Sequence, residues 1–370
     1  MTKRRLVING RFLTQPVTGV QRVGIEFCRA LDGLLASGEV AGFEVEVVVP
    51  AASPLVTDPA LRKIAVRKVG RLSGHLWEQV ELPWFSRGAM LLALGNTAPI
   101  WSLVAAAPRT SVMVHDLSYR YFPAAYSFSF RALYSALIPA VLWRAARIFT
   151  VSQAERAAIL REYPALPRPE RLLSVQNGTP PTVAGSLPGR APRARNCLYV
   201  GSLTKRKNAE GLVEAAIRLA RDHGATFTFV GANGPTFEGI SVEVPADVVG
   251  RVRFLGQIND AAALAKEYDS AAAFVFPSFY EASPLPPTEA MARGCPVVAS
   301  DIPSLRERCG DAASYCDPSD VGSIVLATAQ LLDNVAKWEW LRAEGLRMAD
   351  TYSWQRQAIG IVRALESSLS

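Results

Sequence analysis

Short apolar runs alternate along this chain with stretches in which apolar residues recur every three or four positions. The first rhythm is that of strands and the second that of helices. In the first half the pattern predicts strands over residues 6–9, 43–49, 90–94, 112–115 and 148–152, with helices over 20–35 and 130–146. Strands separated by helices imply parallel pairing, because a parallel crossover needs a connection long enough to hold a helix. Residues 179–195 are rich in Pro, Gly, Ala and Arg, lack apolar periodicity, and read as a linker. The rhythm then restarts, with strands over 197–200, 226–230, 252–255, 273–277 and 296–300 and helices over 209–222, 261–268, 287–293 and 321–332. A last helix over 353–370, with Ser353 as N-cap, is a candidate to pack back on the first domain. The expected fold is α/β: doubly wound, Rossmann-like domains over 1–178 and 196–352, the linker 179–195 between them, and the C-terminal helix. Such sheets bind ligands at the carboxyl ends of their strands. Two of them predict a donor on one domain and an acceptor on the other, across a cleft.

Composition narrows the class. A length of 370 residues suits two domains, and 49% hydrophobic with 20% charged residues is a globular balance. The charged start, Met1-Thr2-Lys3-Arg4-Arg5, is followed by an apolar run of only three residues, so no signal-peptide core is expected. The longest apolar stretch, 132–143, contains Pro139 and falls short of the roughly 20 residues of a membrane span. Five cysteines without a C-x-x-C, and three histidines, give no zinc spacing; reduced, buried thiols in a cytoplasmic protein fit them. The net charge of +7 is uneven: residues 1–175 hold 21 Lys and Arg against 12 Asp and Glu, the remainder 19 against 21. That excess points the first domain toward something anionic, a membrane surface or a phosphorylated acceptor, unless it only aids solubility. A pI of about 9.3 raises nucleic acid as a partner, but no DNA- or RNA-binding motif is present and none is expected.

There is no P-loop, no G-x-G-x-x-G, no G-x-S-x-G and no D-x-D. A diphosphate bound here would have to be met by Lys, Arg, backbone amides and helix ends rather than by a metal held on clustered carboxylates, so no metal or other cofactor is expected. The segment richest in candidate chemistry is Phe276-Pro277-Ser278-Phe279-Tyr280-Glu281-Ala282-Ser283-Pro284-Leu285-Pro286-Pro287-Thr288-Glu289. A strand ends at Pro277, a Pro-rich loop follows, and a helix is expected to open near Pro286 or Pro287, presenting free amides that include those of Thr288 and Glu289. Glu281 and Glu289, seven residues between them, resemble the E-x7-E signature of retaining GT-B glycosyltransferases of family GT4. The resemblance implies that Glu289 binds the donor ribose hydroxyls and Glu281 the hydroxyls of the transferred sugar. Tyr199-Val200-Gly201-Ser202-Leu203-Thr204-Lys205-Arg206-Lys207-Asn208 is similar to the family's phosphate loop, which makes Lys207 the diphosphate ligand and Arg206 a second candidate.

The resemblance runs from about Leu6 to Trp354. Thr18-Gly19-Val20-Gln21-Arg22 matches a loop whose glycine, Gly19, approaches the donor diphosphate or the acceptor, with Arg22 on the acceptor side. Val114-His115-Asp116-Leu117 matches the segment whose histidine lies near the reacting sugar; Asp116 is an acceptor-side candidate or a loop cap. Gly231-Ala232-Asn233-Gly234 follows a strand and is a candidate to approach the nucleotide or a plain glycine loop; Asn177-Gly178 reads as a turn. Two departures stand out. Where the family carries Glu-Gly-Phe-Gly-Leu this chain has Glu281-Ala282-Ser283-Pro284-Leu285, and Pro284 has no N–H, leaving the Leu285 amide as the donor contact. Ser202 stands where many members carry a phosphate-binding arginine, a role Arg206 is placed to take.

The expected function is retaining, metal-independent transfer of a hexose, mannose or rhamnose first, from a nucleoside-diphosphate sugar, GDP-mannose first. The expected acceptor is a glycan or a polyprenyl-diphosphate-linked glycan, at the inner face of the cell membrane in surface-polysaccharide synthesis. His115, Glu281 and Lys207 would carry the chemistry. The basic residues Arg62, Lys63, Arg67, Lys68 and Arg71, and a helix over 130–147 resting on lipid or packed in its domain, are the membrane candidates. The alternatives are an epimerase or phosphorylase on the same scaffold, and a non-catalytic sensor of sugar nucleotides.

Overall fold

The computed structural model describes residues 3–104, 109–182, 194–231 and 243–367. Most of the expected linker, and Ala232, Asn233 and Gly234 of the glycine loop, lie outside the described residues. The chain divides into two compact units. One is Met1–Gly178 with Ser353–Ser370, the other Thr179–Tyr352.

The first unit is built on seven parallel strands: β1 (Arg4–Asn9), β2 (Phe43–Pro50), β3 (Ala65–Val69), β4 (Met90–Ala93), β5 (Thr110–Met113), β6 (Arg147–Thr150) and β7 (Leu172–Ser174), in the order β3-β2-β1-β4-β5-β6-β7. At its centre Ile8 pairs with Val47 on one side and Leu92 on the other. All three are fully buried, as expected of a parallel sheet covered on both faces. The reading from sequence missed β3 and β7. β3 is an edge strand with no fully buried residue, and Arg67 on it pairs with Glu46 of β2 at 2.8 Å. Part of the basic cluster is therefore consumed within the sheet. The helix Phe128–Arg144 turns Tyr134, Leu137, Ile138, Val141 and Leu142 into the core and leaves Phe128, Leu133 and Trp143 exposed. The helix Gly19–Ser37 ends on Gly38 in the left-handed conformation, φ +81°.

The second unit carries β8 (Asn196–Val200), β9 (Thr226–Val230), β10 (Val252–Phe254), β11 (Ala273–Phe276), β12 (Val297–Ser300) and β13 (Ala313–Cys316), parallel in the order β10-β9-β8-β11-β12-β13. Phe227, Phe229, Phe274, Phe276 and Tyr199 fill its interior, with Phe227 stacked on Phe229 at 4.8 Å between ring centres. The helix Ala209–Asp222 buries Leu212, Val213, Ala216, Leu219 and Ala220, the stripe its spacing predicts. All five cysteines are buried and free.

The helix Trp354–Ser367 starts after Ser353, whose hydroxyl accepts the Arg356 amide at 3.1 Å. It packs on the helix Gly19–Ser37 of the first unit. Asn177-Gly178 is not the turn expected of it. Asn177 Oδ1 accepts from Gln357 at 3.0 Å, and a Cβ on Gly178 would stand 2.4 Å from Trp354. The glycine is needed because the last helix presses on it.

Candidate functional site

The strand order of the second sheet reverses between β8 and β11, which makes the loops leaving these two strands neighbours at the carboxyl edge, where open α/β sheets bind ligands. Lys205–Lys207 form one 3₁₀ turn after β8, and Asn208 then enters the helix in the left-handed conformation, φ +56°. Its side-chain amide donates to the Pro318 carbonyl at 2.6 Å, which holds the corner. From the other loop the Phe279 amide donates to the Arg206 carbonyl at 3.0 Å, and Arg206 Nη1 donates to the Tyr280 carbonyl at 2.7 Å.

This lacing brings three of the expected residues together. Glu281 Oε1 lies 3.3 Å from Lys207 Nζ, and Oε2 lies 3.3 Å from Arg206 Nη1. The Lys207 ammonium also sits 5.2 Å from the centre of the Phe276 ring, a cation–π contact. Burial pushes the Glu281 carboxyl up, but the Lys207 and then the Arg206 cations outweigh it and hold the group below the usual glutamate value. The cluster is thus ionised, with one carboxylate against two cations. Gly201, φ +151°, begins this loop, and a Cβ there would come 2.9 Å from the Tyr199 hydroxyl and 3.4 Å from Lys207 Nζ. A Cβ on Gly231, φ +159°, would stand 2.0 Å from the Gly201 carbonyl oxygen. The loops after β8 and β9 therefore touch backbone to backbone.

The Glu289 helix runs from Leu285 to Ala292, with Pro284 as N-cap. This corrects the expected start. Of the four N-terminal groups that lack an intrahelical acceptor, Pro284, Pro286 and Pro287 have no N–H, and only Leu285 offers one. Thr288 is the fourth helical residue, the position at which α-helical amides begin to reach back to the residue four before them. The Thr288 side chain is fully buried; its hydroxyl donates to the Leu285 carbonyl at 3.0 Å and accepts from Arg308 at 3.0 Å. Glu289 is buried, with Oε2 accepting from the Tyr268 hydroxyl at 3.1 Å. Arg308, which in sequence reads as one more charge of Leu305-Arg306-Glu307-Arg308, is fully buried against the Tyr352 ring at 4.2 Å, and burial lowers its guanidinium to about 10.

The first sheet reverses between β1 and β4. A cavity of about 650 Å³ opens at that point, lined by Asn9 at the end of β1, Arg11 just beyond it, Asn96 after β4, and Asp116 after β5. Its floor is ionic: Arg11 Nε donates to Glu78 Oε2 at 3.0 Å, and the same oxygen accepts from Asn9 at 2.8 Å. Glu78 Oε1 accepts from the Thr97 hydroxyl at 2.7 Å and lies 3.4 Å from His75 Nδ1. Burial opposes its charge, but Arg11 and then His75 and Thr97 hold the carboxyl at about 2. Glu78 is carried on a π-helical turn, Trp77–Glu81, a rare irregularity that recurs at functional sites. Nothing in the local pattern joins Arg11 to Glu78, and the sequence reading missed both.

Asp116 is a loop cap that also faces the cavity. Its Oδ1 caps the loop, accepting the Ser118 amide at 3.0 Å and hydroxyl at 2.6 Å, and the residue lines the cavity. His115 is buried outside the lining, with Nε2 2.7 Å from the Leu94 carbonyl. A carbonyl only accepts, so Nε2 carries the proton, and burial lowers the imidazole pKa against the opposing Leu94 carbonyl and Asp116. His115 is therefore a neutral, structurally engaged side chain. Gly19 is exposed between two lining residues, Thr18 and Val20; a Cβ there would meet nothing within 4 Å and its φ is ordinary, so the fold does not require a glycine. The Arg22 amide bonds the Thr18 carbonyl at 2.9 Å in the first helical turn, and the residue is not part of the lining.

Comparison with known proteins agrees with this layout. A family model described as glycosyl transferases group 1 matches residues 194–334. The O-antigen chain mannosyltransferase B of Escherichia coli is 35% identical over 164 residues, 43% of this chain and 42% of that protein. The MMP alpha-(1->4)-mannosyltransferase of Mycolicibacterium hassiacum is 30% identical over 230 residues, 60% and 54% of the two chains. The chain thus spans about half the length of the curated relatives it matches. Among solved structures, sucrose-phosphate synthase from Thermosynechococcus elongatus superposes with a TM-score of 0.72 over 99% of both chains at 19% identity. WaaG, a glycosyltransferase involved in lipopolysaccharide biosynthesis, does so with 0.70 over 98% and 99% at 16% identity. The protein has the GT-B fold, and residues 194–334 of its second unit match the model of the group 1 glycosyl transferases.

Proposed function

We propose that the protein is a retaining, metal-independent hexosyltransferase that moves a sugar from a nucleoside diphosphate held by the second unit to an acceptor held by the first. The observation that carries this is the Glu281–Lys207–Arg206 cluster at the switch point of the second sheet. A diphosphate entering beside two cations gains charge-assisted hydrogen bonds, and those bonds strengthen as the sugar–phosphate bond breaks and negative charge develops. Glu281, kept ionised by the same cations, is suited to accept from sugar hydroxyls. In the proposed step the C1–O bond to the diphosphate breaks and a C1–O bond to the acceptor forms on the same face. The acceptor proton passes to the departing phosphate oxygen. Relatives that are mannosyltransferases support mannose as the first choice of sugar, and GDP-mannose is the first choice of donor in this reading. A glycan, free or carried on polyprenyl diphosphate, is the acceptor in this reading.

The first test is thermal stabilisation by a panel of nucleoside diphosphates, without and with EDTA. A ligand at 100 times its Kd stabilises by about 2.7 kcal/mol. One base should shift the melting temperature whether or not EDTA is present; no shift with any base would remove the donor site, and a shift abolished by EDTA would remove metal independence.

An anionic membrane face belongs to the same proposal, on different residues from those expected. Among the described residues no helix is long and apolar enough to cross a membrane. Leu76, Val80 and Trp84 recur every fourth residue along 74–85 and are exposed, Trp84 by 72%. Exposed Trp and Leu on one stripe, with Arg71 and Arg87 flanking it in sequence, suit an interfacial contact. Retention on anionic liposomes at low salt that is lost in Trp84→Ala would support it; equal recovery in the supernatant with and without liposomes would end it.

A further inference from the structure

We propose that the cavity of the first unit takes an uncharged glycosyl group, the non-phosphorylated end of the acceptor, and discriminates against sugar phosphates. The proposal rests on the glycosyltransferase reading above and goes further, by assigning the chemical class that this cavity accepts.

Three features of the lining carry it. One wall is aromatic: Tyr126 stacks on Phe130 at 5.1 Å and Phe130 on Tyr134 at 3.9 Å, interplanar angles 17° and 20°. Tyr126 and Phe130 are only half-buried, so the stack presents ring surface to the cavity. A pyranose ring carries an apolar C–H face that matches such a surface. The second feature is a set of neutral hydrogen-bonding groups, the side chains of Asn9, Gln15, Gln21, Asn96 and Ser118, which line the same space. Amides and hydroxyls both donate and accept, as sugar hydroxyls do. At about 650 Å³ the space falls within the roughly 300–1,000 Å³ usual for small-ligand sites.

The third feature is charge. Among the lining residues Arg11 is the only guanidinium or ammonium, and its charge is already met by Glu78 at 3.0 Å. Glu78 and Asp116 are the carboxylates, and both Arg11 and His75 lie against Glu78, at 3.0 and 3.4 Å. A phosphate ester would lose its hydration here without gaining an uncommitted cation, and would face Asp116. A neutral sugar has no such penalty, and its hydroxyls can donate to the carboxylates. The pair Arg11–Glu78, buried and fixed by Asn9 and Thr97, thus acts as a rigid neutral floor rather than as an anion receptor.

The test uses the full chain with saturation-transfer NMR and calorimetry. The probes are methyl α-mannoside, methyl α-glucoside and methyl α-rhamnoside against mannose 6-phosphate and glucose 6-phosphate, in parallel with the melting shift by nucleoside diphosphates. At least one neutral glycoside should bind, and more tightly than either phosphate. Phe130→Ala should weaken it by roughly three- to tenfold, the scale of one aromatic contact, while the nucleotide shift stays as in the wild type. If Phe130→Ala does not fold, Tyr126→Leu removes the outer ring of the stack instead. Asp116→Arg should narrow or reverse the preference over phosphates. Tighter binding of a sugar phosphate than of its neutral parent, no transfer to any neutral glycoside, or binding unchanged by loss of the aromatic face would each overturn the proposal. Those results with an intact nucleotide shift would leave the donor reading standing; a missing nucleotide shift with intact glycoside binding would do the reverse.

Discussion

Lys207 Nζ stands 3.3 Å from Glu281 Oε1 across two loops that begin 76 residues apart, at Val200 and Phe276, and meet because β8 and β11 are neighbours. The cation proposed for the diphosphate and the carboxylate proposed for the sugar are thus a pre-assembled pair. Lys207→Ala should lower kcat by about 10²–10³, the usual loss when one preorganised donor to developing charge is removed. Glu281 keeps Arg206 at 3.3 Å, so the melting temperature should change far less than the rate. Steady-state kinetics beside a melting curve check this; equal rates in variant and wild type would take Lys207 out of the chemistry.

Glu289→Ala should abolish the melting shift by nucleoside diphosphate. It should also lower the stability of the ligand-free protein by about 1–3 kcal/mol, because it leaves the buried Tyr268 hydroxyl without this acceptor. Tyr268→Phe separates the two effects: it removes the same hydrogen bond yet should keep the nucleotide shift. A shift surviving in Glu289→Ala would move the ribose contact elsewhere.

Two glycines that look alike in sequence should behave oppositely. Gly231→Ala places a methyl 2.0 Å from the Gly201 carbonyl and should cost several kcal/mol, on the scale of overpacking plus a strained φ. Gly19→Ala meets open space and should leave stability within about 0.5 kcal/mol. Reduced turnover in Gly19→Ala with an unchanged melting curve would mark Gly19 as a point of ligand approach; unchanged turnover would leave it as an ordinary helix start.

The Glu78 carboxyl falls from 4.5 to about 2 on folding. A depressed folded pKa contributes stability that is complete above the unfolded value and is lost as pH falls through the folded one, here between about 4.5 and 2. Glu78→Gln should unfold more easily at neutral pH, by about 3–5 kcal/mol for a broken buried pair, and should lose less further stability across that acid window. Denaturant midpoints at pH 7, 4.5 and 3 for both proteins check the sign.

The second unit was legible where a pattern sits within a short stretch. Glu281 and the Lys205-Arg206-Lys207 turn stood out by a family resemblance and meet in the structure, and the helix Ala209–Asp222 stood out by its apolar stripe. What escaped includes the helix Val335–Thr351 and features of three further kinds. β3, β7 and β13 are short or edge strands, and Ala313-Ser314-Tyr315-Cys316 has no branched residue to mark it. The Glu289 helix begins at Leu285, one or two residues before the expected Pro286 or Pro287. The cavity floor joins Arg11 to Glu78 across 67 positions, and Arg308 enters the core from a run of charges; long-range burial of an ion leaves no local periodicity.

The final helix, Trp354–Ser367, belongs to the unit that the chain had left at Gly178. During synthesis the second unit, a continuous segment, can complete its sheet while the first still lacks the piece that covers Gly178 and the helix Gly19–Ser37. Residues made before the second unit are thus among the last to find all their neighbours, and the nascent first unit is open to misassembly until the final helix arrives.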